Sequence, residues 1–279
     1  MLIDAHHHLW HPEHRAYPWL TGAALKPIMK AYSVDDLRVA TAGQVDHTVL
    51  VQTVGEHAET VEFLATASAS AGLIAGVVGW VDLTAPDVPE QIARLRAAPG
   101  GQLLVGVRHQ VQDERDPAWL SRPEVLRGIR AVGAAGLVFD LLVLTSHLER
   151  ARSVVAALPE VSFVLDHLAK PPIADGGWQP WALRLANLAE LPNVTAKISG
   201  LVTEARWDGW EPSQIAPYAE LAFEVFGAHR LMFGSDWPVC TLAARYPDVL
   251  DLAERLVSGA SDAERSAFFA GTAQRVYRI

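Results

Sequence analysis

Three widely separated segments of the 279-residue chain carry side chains able to bind a divalent ion or to move a proton. The first reads Asp4-Ala5-His6-His7-His8, the second Asp166-His167, the third Gly234-Ser235-Asp236-Trp237-Pro238. Side chains alternate across an extended strand, so Asp4, His6 and His8 are expected on one face and His7 on the other. Two imidazoles two residues apart can converge on one metal or one carbonyl oxygen, while His7 is expected to pack or hydrogen-bond outside. The same alternation sends only one of Asp166 and His167 inward. His167, at the end of its apolar run, is the candidate, and Asp166 is expected to orient a neighbouring element from outside. Asp236 closes a third apolar run, with Gly234 leaving space beneath it. Three imidazoles and one carboxylate suit Zn²⁺ or another borderline divalent ion.

Such residues need a scaffold that brings them together. Short Val/Ile/Leu-rich runs at 2–8, 45–52, 73–81, 103–109, 136–142, 161–167, 193–199 and 230–236 lack clean polar alternation. Parallel strands buried on both faces read this way. Amphipathic or Ala-rich stretches lie between them at 58–71, 89–98, 123–135, 147–158, 181–191, 212–226 and 247–257. Ser121 with Glu124, and Ser261 with Glu264, match the capping-box pattern. Gly72, Gly136 and Gly227 follow helical stretches as terminating glycines. Eight strands alternating with helices in one domain spanning 1–279 predict an α/β fold of the (β/α)8 TIM-barrel type, for which roughly 250 residues suffice. No glycine-rich nucleotide signature follows any strand. The aromatic-rich segment 11–43 is expected to loop over the barrel mouth, and a last helix, 262–277, to pack outside.

Active-site residues of such barrels lie at the C-terminal ends of strands. Arg108 and His109 end the fourth strand and should diverge; either can donate to a substrate hydroxyl or carboxylate, and Arg108 can instead pair with a neighbouring acid. Lys197 and Asp140 also lie near strand ends, and Asp140 can bind a hydroxyl or pair with Arg108. Lys170, before two prolines, reads either as a substrate contact or as a solvated loop residue. Of the 9 tryptophans, Trp10, Trp80 and Trp237 follow the first, third and eighth strands, and Trp178, Trp181, Trp207 and Trp210 fall in later loops. Aromatic faces at a barrel mouth suit the C–H faces of sugars. Trp237 is the foremost candidate among them, with Trp80 beside it.

Composition excludes several classes. With 23 basic and 32 acidic residues the formal charge is −9, unsuited to nucleic acid or an anionic membrane. No apolar run reaches the roughly 20 residues of a membrane helix. The N-terminus meets Asp4 and three histidines too soon for a signal peptide. The sole cysteine, Cys240, permits no internal disulfide and reads as a packed small residue. A cytoplasmic location is the expectation; oligomeric state is open.

Taken in order, D-x-H-x-H, L-D-H and G-S-D-W-P resemble the amidohydrolase superfamily, and within it the amidohydrolase-2 branch. Segments 79–83, 106–110, 165–171, 197–201 and 233–239 are most similar to sugar lactonases of that branch, those acting on L-fuconolactone or L-rhamnonolactone. The resemblance runs nearly end to end. It implies a (β/α)8 barrel that hydrolyses an aldonolactone with activated water. His6, His8, His167 and Asp236 carry over to the active-site positions, as metal ligands and, for Asp236, as general base and acid. Arg108, His109, Trp237, Lys197, Asp140 and Trp80 are the expected substrate-binding residues. Binuclear members also use a Lys or Glu after the fourth strand and a His after the fifth. Here those places hold Arg108-His109 and Asp140, so one divalent ion (Zn or Mn) or none is implied. The branch also holds metal-dependent decarboxylases and lactonases of aromatic breakdown, whose carboxylate substrates call for arginine-rich pockets. A sugar-binding barrel without catalysis would not need Asp236 among three histidines.

Overall fold

The computed structural model describes residues 1–279. One sheet holds eight parallel strands in chain order: β1 (Ile3–His7), β2 (His47–Val51), β3 (Ile74–Gly79), β4 (Leu104–His109), β5 (Val138–Leu141), β6 (Phe163–Leu165), β7 (Val194–Ile198) and β8 (Leu231–Phe233). The ring is completed beyond β8. His7 bridges Trp237 in parallel, and the His8 amide donates to the Trp237 carbonyl at 2.7 Å. This is the expected (β/α)8 barrel. Outward positions such as Val77, Phe139, Leu141, Phe163 and Leu165 belong to the large apolar cluster between strands and helices. Those helices include α1 (Val34–Thr41), α2 (His57–Ala69), α3 (Val88–Ala97), α4 (Pro123–Ala134), α5 (Leu148–Ala157) and α6 (Trp181–Ala189). They continue with α7 (Leu201–Glu204), α8 (Pro212–Phe226), α9 (Tyr246–Leu256), α10 (Asp262–Ser266) and α11 (Thr272–Tyr277). No helix is long and apolar enough to cross a membrane.

Four local expectations change. The β1–β2 register slips between Asp4 and His7. The extra residue lets Ala5 join Ile3 in the interior cluster while Asp4 turns outward, so Asp4 does not share a face with His6 and His8. Strands six and eight stop at Leu165 and Phe233, short of the expected 167 and 236, which leaves His167 and Asp236 on the turns that follow. Ser121 caps no helix. Its hydroxyl donates to the Ala118 carbonyl and accepts from Arg150, and α4 starts after Arg122. Ser261 does form its box with Glu264, and Gly72, Gly136 and Gly227 have positive φ.

The expected last helix is broken by a π turn at Ala267–Gly271. It covers the lower mouth rather than the outer wall. The lower interior is lined by the small or branched side chains of Ala5, Val49, Val78, Val138 and Val164 together with Met232, which leaves an apolar opening. Ala270, Ala273 and Tyr277 fill it. At the upper mouth, Trp10, Tyr17, Leu20 and Ile28 from the 11–43 segment and the residue before it pack with Val54, against Trp19 and Val239.

Candidate active site

Every main candidate converges at the upper end of the barrel. The slip in β1 swings His6 and His8 inward together, their Nε2 atoms 3.1 Å apart. His7 faces away and is hydrogen-bonded to the Thr48 hydroxyl at 2.9 Å. Burial holds its pKa at about 3, so it is neutral. The outward Asp4 clamps the two strand ends. Its carboxylate accepts from the Ser235 amide (2.8 Å), the Ser235 hydroxyl (2.6 Å) and the Tyr246 hydroxyl (3.1 Å). The Asp236 amide in turn donates to the His6 carbonyl at 2.8 Å. Asp236 thus hangs on β1 as well as on β8, with a left-handed φ of 58°.

The Asp236 Oδ1 atom lies 3.4 Å from His8 Nε2, 3.8 Å from His6 Nε2 and 3.9 Å from His167 Nε2. Burial would raise its pKa, but His167, His8 and Lys170 outweigh that and hold the carboxyl below its ordinary value. Burial lowers all three histidines, His167 to about 4. Near neutral pH the site therefore holds one carboxylate facing three neutral imidazoles.

Those imidazoles fit one divalent ion. His8 Nδ1 faces the Val51 carbonyl at 2.7 Å, and a carbonyl only accepts, so Nδ1 carries the proton and Nε2 offers its lone pair. His167 Nδ1 lies 2.8 Å from the Ser199 hydroxyl, and His6 Nδ1 3.4 Å from Asp166 Oδ1. The Ser199 hydroxyl can take a proton from His167 and leave its Nε2 free, the outer arrangement that orients histidine ligands, while His6 also has Lys197 Nζ 3.2 Å from Nδ1 and Arg108 Nη1 3.3 Å from Nε2. Ligand atoms of His6, His167 and Asp236 lie within 4.8 Å of one another, and His8 is close enough to join them.

Beneath the histidines lies a buried charge network. Asp166 was expected outside, but it points inward, because the strand ends before it and alternation carries Val164 and Asp166 to the same face. It accepts from Arg108 Nη1 at 3.0 Å and pairs with Lys197 Nζ at 3.0 Å. Lys197 also donates to Asp140 at 2.6 Å and lies 3.2 Å from His6 Nδ1. Tyr277, from α11, donates its hydroxyl to the same Asp140 oxygen at 2.8 Å. Two cations balance two carboxylates, so the Asp236 charge is left over. Asp166 is held well below the usual carboxylate range: burial alone would raise it, but Lys197, His6 and Arg108 outweigh that. Burial instead lifts Asp140 to about 6. Lys197 and Asp140 are fully buried, so both serve the floor of the site rather than its open face. Arg108 is clamped between Asp166 and Gln52, whose side-chain oxygen accepts from Nε at 2.8 Å.

A cavity of about 110 Å³ opens above Asp236, His8 and His167, with Trp19, Gln110, Gln112 and Lys170 on its wall. Arg108 and His109 diverge as expected. His109 stacks on Trp119 at 4.0 Å, accepts from Trp80 Nε1 at 3.1 Å and donates to Glu114 at 2.7 Å. His109 and Trp80 line a separate depression on the flank. Trp237 is buried, edge-on to Tyr32, and is absent from the cavity wall. Of the tryptophans only Trp19 reaches the cavity; it was hidden in the 11–43 segment, where no strand end marked it. Cys240 is buried beneath, its thiol pushed up by burial.

Gly200 shows how tight the arrangement is. It has φ of +64°, and a Cβ there would sit 2.8 Å from His167 Nδ1 and 3.0 Å from Asp236 Oδ2. Gly200→Ala is therefore expected to lower turnover about 10–100-fold by displacing these groups, with a stability loss of about 1–3 kcal/mol. Steady-state kinetics beside thermal melting checks this; native kinetics would show that the cradle tolerates the methyl group.

Comparison with known proteins gives a consistent result. The amidohydrolase family profile matches residues 3–279. An L-fucono-1,5-lactonase of Burkholderia multivorans is 39% identical over 289 aligned residues, covering 99% of this chain and 96% of that protein. An L-fucono-1,5-lactonase of Burkholderia ambifaria is 38% identical over 250 residues, covering 88% of this chain and 83% of that protein. A crystal structure of an amidohydrolase from Burkholderia multivorans with bound zinc superposes with a TM-score of 0.93 at 39% identity, covering 100% of this chain and 99% of that one.

Proposed function

The chain belongs to the amidohydrolase family, and from that premise we propose that it hydrolyses a small sugar lactone, an aldonolactone such as L-fucono- or L-rhamnonolactone, to the aldonic acid. One observation carries the reading: the Asp236 carboxylate sits within 4 Å of three neutral imidazoles at the floor of a small polar cavity. The similarity to proteins named L-fucono-1,5-lactonase gives the substrate class.

A lactone is a cyclic ester, so its hydrolysis needs a nucleophilic water, a place for the oxyanion and a proton for the leaving alkoxide. Asp236, ionised and poised below its ordinary pKa, takes the proton from water and then delivers it to the ring oxygen. His6, His8 and His167 face Asp236, and with it they are the residues that would hold one divalent ion, Zn or Mn. Such an ion, when bound, supplies Lewis acidity and eases ionisation of water. The Asp4–Ser235 clamp keeps Asp236 aimed at the histidines.

Wall chemistry favours a neutral, hydroxyl-bearing substrate over a dicarboxylate or a phenolic acid. Gln110 and Gln112 offer carboxamides, which pair with hydroxyls as donor and acceptor, and Trp19 offers an aromatic ring. Arg108 is already committed to Asp166 and Gln52. The acidic composition and lone cysteine support a cytoplasmic enzyme acting on a small molecule rather than on nucleic acid, with 1–279 working as one unit.

A pH-indicator assay across aldonolactones, run beside 2-carboxyphenols, tests the proposal. Acid release from sugar lactones is expected. Carbon dioxide from a phenolic acid, with no lactone turned over, would overturn it. The same assay after chelation, alongside metal analysis, reads the role of the ion.

A further inference from the structure

After β6 the chain makes a turn that L-residues rarely make. His167, Leu168, Ala169 and Lys170 have φ of 54°, 49°, 59° and 53°, and none is glycine. Left-handed backbone costs about 1–2 kcal/mol per such residue, so the surroundings must enforce it. They do. The Lys170 amide donates to the His167 carbonyl at 2.8 Å, Trp181 Nε1 donates to the Leu168 carbonyl at 2.8 Å, and the Thr145 hydroxyl reaches the Ala169 and Lys170 carbonyls at 3.3 and 3.4 Å. Pro171 follows and disfavours the right-handed helical conformation at Lys170. The outcome is that His167 and Lys170, one turn apart, both face the cavity.

The other two cations of the site are paired with carboxylates, Arg108 while also lining the cavity. Arg108 lies 3.0 Å from Asp166, and Lys197 lies 2.6 Å from Asp140 and 3.0 Å from Asp166. Lys170 has no hydrogen-bonded carboxylate; it pairs with Glu204 only at 4.0 Å, and its charge also acts on Asp236. Yet the proposed reaction turns a neutral lactone into an anion. The water oxygen bonds to the carbonyl carbon and the C=O electron pair moves onto oxygen. It returns as the ring C–O bond breaks. The water proton passes through Asp236 to the ring oxygen, and the new acid's proton goes to solvent.

Resting on the lactonase reading, we propose that Lys170 is a catalytic residue whose ammonium stabilises the negative charge on the lactone carbonyl oxygen and then holds the product carboxylate. The strained turn is the device that delivers this charge beside His167.

The test uses the intact enzyme and the variants Lys170→Met, Lys170→Gln and Lys170→Arg. Proton release gives kcat and KM on an aldonolactone, and calorimetry gives binding of the aldonate and of the matching neutral alditol. Loss of one preorganised donor at an oxyanion costs about 10²–10³ in kcat. Both neutral variants should therefore lose about 100-fold in kcat with KM little changed. Aldonate binding should weaken about 10-fold or more, alditol binding should hold, and Lys170→Arg should recover most of each loss. A neutral variant that folds and keeps kcat and aldonate affinity within about 3-fold of native overturns the proposal, as does Lys170→Arg behaving no better than Lys170→Met. If the native enzyme opens no lactone, the reading of the reaction falls, while the calorimetric comparison still decides whether Lys170 holds a carboxylate.

Discussion

Asp236→Asn is expected to lower kcat about 10³–10⁴-fold while the fold survives. The substitution keeps shape and volume. The carboxamide oxygen that replaces Oδ1 can still face His6, His8 and His167, and the backbone links to His6 and Cys240 do not involve the side chain. What disappears is the charge and the ability to accept a proton. Both halves of the reaction depend on it, since the proton taken from water is the one returned to the ring oxygen. The three imidazoles offer no replacement, because burial lowers the pKa of each and makes it a poor proton acceptor. Lactone proton release, aldonate calorimetry and a melting curve on the same preparation separate chemistry from folding. A rate within about 10-fold of native would remove Asp236 as the base.

The second large effect lies below the chemistry. Lys197→Met should destabilise the protein by about 3–5 kcal/mol, the cost of breaking a buried ion pair from one side. The lysine is fully buried and joins Asp140, Asp166 and His6. Without it two carboxylates share a closed space with only Arg108 and the Tyr277 hydroxyl as partners. Asp140 is the group that yields. Burial already lifts it to about 6, and loss of the ammonium pushes it higher, so it should take up a proton near neutral pH. Chemical denaturation at about pH 8 and about pH 5.5 reads this. The variant should regain stability at the lower pH relative to native, because its folded state binds a proton there that the unfolded chain releases. An equal deficit at both values would show that Asp140 does not carry the imbalance. Adding Asp140→Asn should restore part of the loss.

Much of this was legible from residues alone. The order of apolar runs and helical stretches specified the barrel, and D-x-H-x-H, L-D-H and G-S-D-W-P named the four converging side chains. Orientation was harder. Strict alternation put Asp4 with His6 and allowed only one of Asp166 and His167 inside, and both failed for local reasons: a one-residue slip in β1, and a strand that stops at Leu165, after which His167 turns in on left-handed backbone. A bulge leaves no mark in composition. Partners across the barrel were equally hidden, since Lys197 meets Asp140 from 57 positions away and Tyr277 meets it from 137 positions away. Trp80, His109 and Trp237 follow strands yet lie off the cavity, because the loops bearing them fold back on Glu114, Trp119 and Tyr32.

The docking of α11 has a consequence for the order in which the protein matures. Asp140 receives its tyrosine hydroxyl from a residue made 137 positions later, after every strand has been synthesised. A nascent barrel with all eight strands paired still has an open lower end and an acid one donor short. Completion of the active-site floor is therefore tied to a segment that follows every strand of the barrel in the chain.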